Sequence, residues 1–385
     1  MRIGIEGQRL YRKKKHGMDM LALELIKNLQ TIDSVNEYVI FVKPDIDNTC
    51  IPKAPNFKIV ELGKNKYHPI WEQITLPRAA EKEGCDILHC TSNTGPIYCK
   101  VPIITVIHDI IYLESFSLLQ KRGTWYQKFG NLYRRYVVPI VAQKSKRVIT
   151  VSNFEKELIK NNLNLGDNLV SIYNGVGEHF TKITDKKLLD KSKSKYNLPD
   201  NFLIFIGNTD PKKNTPNVLT AYADYINQSE TKYKLVIIDF DEKKLIQLLN
   251  EIGHTEIRKE IITIGYVPNN ELPAIINQSK LFLYPSLRES FGIPILEAMA
   301  CGVPVITSNT SSMPEIAGNA AEIVDPTNPL EIRDAINRIL KDDSYNKSLV
   351  EKGIERAKMF SWKVMAENYL ELYKQVFEET KKISS

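Results

Sequence analysis

At 385 residues the chain is too long for one ordinary hydrophobic core, and its 43% hydrophobic and 25% charged content excludes disordered and fibrous classes in favour of a soluble protein of two domains. A net charge of +6 is modest for this length, so nothing in the global electrostatics requires nucleic acid as a partner. The five cysteines (Cys50, Cys85, Cys90, Cys99, Cys301) lack metal-knuckle spacing and read as reduced cytosolic thiols, while the N-terminal MRIGIEGQRL reads as a strand rather than a signal peptide; no later run is long and apolar enough to span a membrane.

In chain order, residues 3–6 predict a short strand and 18–29 an amphipathic helix, joined by a loop that ends His16-Gly17-Met18. A lone Gly before a helix is a plain turn or a place where backbone comes close to a ligand. Residues 38–42 and 57–60 read as strands flanking a Pro-rich stretch, 44–55, and Trp71-Glu72-Gln73 opens a helical segment that runs to Arg78. After a strand at 86–89, residues 101–107 form a β-branched, buried strand ending at His108-Asp109. A polar pair at the carboxyl end of a core strand stands where α/β sheets bind ligands, although a His capping its own sheet is the plainer reading. From 119 to 147 there are many Lys and Arg and no acid. Trp125, Phe129, Leu132 and Tyr136 fall at helical spacing beside Lys121, Arg122, Lys128, Arg134, Arg135, Lys144, Lys146 and Arg147. Such a face either packs its aromatics onto the sheet or lies against anionic lipid. A strand at 147–151 leads to Ser152 and Glu155, whose spacing makes a capping box that accounts for both. The Lys- and Asp-rich residues 181–200 read as a linker.

The second half restarts with a strand at 202–206, then Gly207-Asn208-Thr209-Asp210-Pro211-Lys212-Lys213-Asn214 and a helix from Thr215. A Gly turn with two Lys beside a helix start suits a diphosphate, because charge and free amides point the same way. Strands at 235–238 and 261–264 follow, the second leading into Gly265-Tyr266-Val267-Pro268 and Glu271-Leu272. Residues 281–284 predict a strand that delivers the polar turn 285–290, after which Phe291-Gly292 leads into a helix begun at Pro294. Glu289 stands in that loop and Glu297 a turn inside the helix. Two acids would repel an anion at the helix start, so they either accept hydrogen bonds from sugar or ribose hydroxyls or are simply solvated.

The run PSLRESFGIPILEAMACGVPVITSNTSSMPE, with its Glu-x7-Glu pair, resembles the signature of the family-4 retaining glycosyltransferases, and Gly207 to Asn214 is similar to that family's phosphate-binding element. Two positions depart from the pattern: Ser290 stands where many members have Gly, and Asn208 where some branches have Arg. The resemblance implies an α/β fold of the GT-B type, two facing Rossmann-like doubly wound domains with a cleft between them. It divides the chain into an acceptor domain at 1–180, the linker 181–200, a nucleotide-sugar domain at 201–360 and a C-terminal helix, 361–385, crossing back. It implies catalytic roles for His108, Glu289 and Lys213, with Glu289 facing the donor sugar and Glu297 holding the ribose. Donor contacts are implied for Gly17, Gly207, Asn208, Lys212 and Lys213, for Tyr266, Val267 and Leu272 at the base, and for Ser290, Phe291, Gly292, Ile293, Pro294 and Ile295 around the acids. Asp109 and Ser152 are implied on the acceptor side.

The activity so implied is transfer of a hexose or deoxyhexose from a nucleotide diphosphosugar, with retention, to a glycan or lipid-linked acceptor in surface-polysaccharide assembly, with no cofactor and no metal. The pattern looks most like bacterial O-antigen mannosyl- or rhamnosyltransferases, and the basic segment adds an anionic membrane surface as a partner, placing the protein in the cytoplasm at the inner face of the membrane. Three rivals stand beside it. A metal-dependent transferase would use Asp45-Ile46-Asp47 or Asp239-Phe240-Asp241; a non-catalytic sugar-nucleotide-binding protein would not need His108; a GT-B epimerase would need no acceptor.

Overall fold

Short β-branched runs, most of them followed by a helix, fold into two all-parallel sheets. The computed structural model describes residues 1–15, 17–63, 67–113 and 125–384, in two compact units, Met1–Gly175 with Trp362–Ser385 and Val176–Ser361.

The first unit contains β1 (Arg2–Gly7), α1 (Gly17–Ile32), β2 (Glu37–Val42), β3 (Phe57–Glu61), α2 (His68–Ile70), a π-turn (Trp71–Thr75), α3 (Leu76–Lys82), β4 (Ile87–Cys90) and β5 (Ile103–Val106). It continues with α4 (Trp125–Lys144), β6 (Arg147–Thr150), α5 (Asn153–Leu163) and β7 (Leu169–Ser171). The sheet order β3-β2-β1-β4-β5-β6-β7 reverses between β1 and β4. Trp71-Glu72-Gln73 lies on the π-turn and is a structural hub. The Trp71 indole is fully buried and donates to the Leu62 carbonyl at 3.1 Å. Buried Glu72 accepts from the Thr94 hydroxyl and, at 2.6 Å, from the Tyr133 hydroxyl on α4. Gln73 spans the carbonyl of Gly95 (2.9 Å) and the amide of Ile97 (2.8 Å).

The second unit holds α6 (Lys186–Tyr196), β8 (Phe202–Ile206), α7 (Thr215–Gln228), β9 (Lys234–Ile238), α8 (Glu242–Ile252), β10 (Ile261–Ile264), α9 (Leu272–Ile276) and β11 (Leu281–Tyr284). After these come α10 (Ile293–Ala300), β12 (Val305–Ser308), α11 (Met313–Ala317), β13 (Glu322–Val324), α12 (Pro329–Lys341) and α13 (Asp343–Lys358). Its order β10-β9-β8-β11-β12-β13 reverses between β8 and β11. Both faces of the sheet are covered, so its strands are largely buried, which is why they read as unbroken apolar runs rather than alternating ones.

The expected linker is corrected by the fold. Within 181–200, residues Lys186–Tyr196 form α6, started by Asp185, which accepts from the Lys187 amide at 2.9 Å, and stopped by Asn197 at φ 50°. Lys195 and the Tyr196 hydroxyl both reach Glu271 at 2.6 Å. A surface helix needs only a narrow apolar stripe, so its polar composition looks like that of a connection.

The last helix, α14 (Trp362–Ser384), belongs to the first unit and packs on α1. The Tyr373 hydroxyl and Nδ1 of His89 on β4 share a hydrogen bond of 2.7 Å. Burial pushes His89 down to about 3, so the ring in that bond is neutral.

Candidate active site

In open parallel sheets the crevice for ligands opens beyond the carboxyl ends of the strands where the order reverses, here β8 and β11. The register Leu203↔Leu281 to Phe205↔Leu283 brings the ends of these two strands level, so the turns after Ile206 and Tyr284 emerge together. After β8 the chain must pass close to a ring: a Cβ on Gly207 would lie 2.1 Å from Phe205, so only Gly fits. The Asp210 side chain accepts from the Lys212 amide at 3.0 Å and opens the 3₁₀ turn Pro211–Lys213. Asn214 then takes φ 59° and its side-chain amide donates to the carbonyls of Pro285 (2.9 Å) and Pro326 (2.6 Å), while the Leu287 amide donates to the Lys212 carbonyl at 2.7 Å. These bonds fasten the lysine turn to the loop that carries Glu289.

As a result Lys213 and Glu289 form an ion pair. The Lys213 ammonium donates to Glu289 Oε1 at 2.7 Å and to the Tyr284 hydroxyl at 3.0 Å. Glu289 is itself fixed by backbone: its amide donates to Ser311 Oγ at 3.0 Å, and the Ser312 hydroxyl donates to its carbonyl at 2.9 Å. Burial pulls the Lys213 pKa down, but the Glu289 carboxylate and the hydrogen bonds to Glu289 and the neutral Tyr284 hydroxyl outweigh it and hold the ammonium above the ordinary lysine range. The lysine therefore remains a cation.

Glu297 lies on α10, whose start is set by Gly292 at φ 102° and by Pro294 in the first turn. It is 7% exposed, and no described residue hydrogen-bonds its carboxylate. Burial pushes its pKa up to about 8. A buried acid left in this way is costly unless donors arrive, and it suits hydroxyl groups rather than an anion. Phe291 is buried against Phe360, with ring centroids 5.9 Å apart, and so shapes the loop rather than facing solvent.

The remaining donor-side expectations separate by role. Lys212 turns to Asp210 at 3.5 Å, not to Glu289. Asn208 serves the turn, accepting from the Asp210 amide at 2.8 Å. Tyr266 is exposed, Val267 is buried and Leu272 opens α9. Ser290 and Ile293 are half-buried and Ile295 fully buried.

In the first unit, buried His108 donates from Nε2 to the Thr91 carbonyl at 2.9 Å, and its backbone amide donates to Asn93 Oδ1 at 2.6 Å. A carbonyl only accepts, so Nε2 carries the hydrogen and Nδ1, to which no described residue hydrogen-bonds, is the bare acceptor. Burial lowers the His108 pKa against the upward pull of the Thr91 carbonyl and Asp109, so the ring is a neutral hydrogen-bond acceptor for a substrate hydroxyl. The Thr91 hydroxyl in turn donates to the Glu6 carbonyl at 2.8 Å, tying the ends of β4 and β1 together. Asp109 accepts from the Ile111 amide at 3.3 Å. Ser152 is buried and its hydroxyl accepts from the Glu155 amide at 3.2 Å, which gives it a capping role. Gly17 begins α1 at an exposed position, and a Cβ there would project into open space, so the first unit does not itself demand Gly; His16 lies outside the described residues. Both acid pairs have structural occupations: Asp47 pairs with Lys15, and Asp241 caps α8 by accepting from the Lys244 amide at 3.0 Å. Among the described residues no cluster of His, Cys, Asp and Glu could hold a metal ion.

Sequence reasoning missed Tyr284 and the pair Ser311 and Ser312. Tyr284 ends an apolar strand and reads as core; only its place at the carboxyl edge of β11 hints at a polar use of its hydroxyl.

Two parallel sheets, with an anion-ready lysine turn and a pair of acids at the reversal of one of them, are the features of a glycosyltransferase of the GT-B type. Residues 186–356 match the family model for group 1 glycosyl transferases and residues 33–179 that for glycosyltransferase family 4. The chain is 32% identical over 374 residues to the O-antigen chain mannosyltransferase B of Escherichia coli, covering 93% of this chain and 96% of that one. It belongs to the family-4 glycosyltransferases. Its fold is similar to that of sucrose-phosphate synthase from Thermosynechococcus elongatus (TM-score 0.76, 18% identity, 98% and 99% of the two chains). It is also similar to Anabaena HepE solved with UDP and glucose (TM-score 0.73, 16% identity, 97% and 99%).

Proposed function

We propose that this glycosyltransferase moves mannose, or a similar hexose or deoxyhexose, from a nucleotide diphosphosugar to a hydroxyl of a glycan or lipid-linked acceptor in cell-surface polysaccharide synthesis, with retention and without a metal ion. The observation that carries the reading is Glu297: a residue only 7% exposed, whose carboxylate takes no hydrogen bond from any described residue, on the helix that follows the Lys213–Glu289 pair. A ribose diol supplies the donors it lacks, and the cation of Lys213 supplies the counter-charge for a diphosphate. The name of the Escherichia coli relative, an O-antigen chain mannosyltransferase, supports mannose and O-antigen assembly. In the reaction the acceptor hydroxyl attacks the anomeric carbon from the leaving-group face, and the departing phosphate oxygen takes its proton. Lys213 and free amides at the start of α10 meet the charge that builds on the diphosphate, and His108 Nδ1 accepts from a substrate hydroxyl.

A thermal-shift panel of GDP-, UDP- and dTDP-sugars finds the donor, since a ligand of the native state alone raises its stability. Incubation of that donor with lipid-linked oligosaccharide, followed by NMR of the new linkage, tests transfer and retention. Loss of donor with no acceptor present would favour an epimerase, and binding without turnover a non-catalytic protein.

The acceptor and membrane part of the reading has its support on α4. Phe129, Leu132 and Tyr136 are 62%, 66% and 67% exposed there, beside exposed Tyr67, Ile70 and Ile74 of the segment to which Tyr133 ties the helix. Lys121 and Arg122, and the side chains of Trp125 and Lys128, lie outside the described residues. No described helix is long and apolar enough to cross a membrane. An exposed apolar face on a helix of this basic segment fits peripheral attachment to the anionic cytoplasmic leaflet, with Arg134 and Arg135 half-buried elsewhere on the same helix and Arg135 donating to the Tyr112 carbonyl at 2.8 Å. Flotation with anionic vesicles at low salt tests it: no binding there, or binding that Arg134→Glu with Arg135→Glu leaves unchanged, rejects it.

A further inference from the structure

We propose that Glu289 is an internal counter-ion for Lys213, held beside it so that the site rejects a bare nucleoside diphosphate and accepts the same diphosphate when it carries a sugar. The inference rests on the donor reading given above and adds to it a role in product discrimination and release.

The pair is built, not incidental. Lys213 is anchored from behind by the Asn214 side-chain amide on two carbonyls and by the Leu287 amide on the Lys212 carbonyl. Glu289 is anchored by Ser311 and Ser312 on its backbone. The two side chains, 20% and 17% exposed, meet at 2.7 Å over Tyr284, which is 1% exposed and accepts the second Lys213 hydrogen at 3.0 Å. An ammonium has three hydrogens to donate; Glu289 and Tyr284 take two, leaving one for a phosphate oxygen.

A phosphate placed on that remaining hydrogen necessarily lies close to the Glu289 carboxylate. The partial burial of the pair weakens solvent screening, so the repulsion between carboxylate and diphosphate is felt. A sugar on the diphosphate changes the balance, because its hydroxyls donate to Glu289 and offset the repulsion with charge-assisted hydrogen bonds. Once the sugar has been transferred those donors leave with it, and the carboxylate again opposes the diphosphate left behind. Glu289 thus weakens binding of product and not of substrate.

The experiment is calorimetry of wild type and Glu289→Gln with GDP, UDP and dTDP and with the corresponding sugar nucleotides. Gln keeps the shape and removes the charge. The expected result is a Kd for the free diphosphate about tenfold lower in Glu289→Gln, a change of about 1.4 kcal/mol, with no tightening of the sugar nucleotide. Glu289→Asp keeps the charge and is expected to give no such gain, and Glu289→Gln in a Lys213→Ala background is expected to lose most of it. Glu289→Ser makes the same charge change if the Gln variant does not fold. Equal or weaker binding of the free diphosphate by the uncharged variants overturns the proposal. If the wild type binds no sugar nucleotide at all, the donor reading falls with it; if it binds one and the uncharged variants gain nothing, only the role of Glu289 falls.

Discussion

The buried acid on α10 makes donor binding depend on pH in a direction that can be worked out beforehand. Glu297 has its pKa pushed up to about 8 by burial alone, so at pH 7 roughly nine molecules in ten of the free protein carry it protonated. A ribose that donates two hydroxyl hydrogens favours the ionised form, so binding expels the proton. For a group whose folded pKa is raised, the folded state holds the extra proton between the ordinary carboxyl range and pH 8. The ligand-free protein therefore loses stability as pH rises through that window, and the ligand restores it. Between pH 7 and 8 affinity for a sugar nucleotide should rise severalfold, with a slope approaching about tenfold per unit below pH 7, and level off above pH 8. The diphosphate of a sugar nucleotide does not titrate there, and neither does Lys213, which is held above the lysine range. Calorimetry at pH 7 in buffers of different ionisation enthalpy should report release of about 0.9 proton. Glu297→Gln should abolish both the proton release and the slope and weaken nucleotide binding. Affinity flat from pH 7 to 8 with no proton released, or a slope that survives in Glu297→Gln, would refute the assignment of this carboxylate to the ribose.

Lys213→Ala should cost roughly 1.5–3 kcal/mol of donor binding, the scale of a charge-assisted hydrogen bond; an unchanged Kd in calorimetry would remove Lys213 from the diphosphate site. Asn214→Ala deletes the bonds to Pro285 and Pro326 and leaves at φ 59° a residue without the polar side chain that eases that conformation, so urea unfolding should show a loss of roughly 2–3 kcal/mol, and a loss below a few tenths would mean that the turn is held by other contacts. Transfer should continue in EDTA, because charge on the leaving group is met by Lys213 and amides; activity lost to EDTA and restored by manganese or magnesium would make the metal-dependent alternative the leading one.

Much of this protein was legible before folding. Strand positions follow from short unbroken apolar runs, since a strand covered on both faces has no polar alternation to hide it, as 202–206 and 281–284 show. The Glu289–Glu297 spacing, Gly207 and Lys213 were visible because their chemistry depends on local turns, whose geometry neighbouring residues dictate. Less legible were features whose cause lies far away in the chain. Residues 181–200 looked like a linker because a polar surface helix is stabilised by tertiary contacts, here Lys195 and Tyr196 on Glu271, that composition does not record. Trp71-Glu72-Gln73 announced a helix but not its π-turn, which Thr94, Gly95, Ile97 and Tyr133 hold in place.

The sequence by itself determined the alternation of strands and helices, the family, and which residue types stand at the carboxyl ends of the strands. Only the tertiary structure decided how they are used. Lys213 and Glu289 are 76 residues apart in the chain, yet become one ion pair because β8 and β11 lie side by side. Glu297 becomes a buried acid without a partner among the described residues because α10 packs it away from water. Charge, burial and partnership belong to the space around a side chain, and that space is assembled from strands that are distant in sequence.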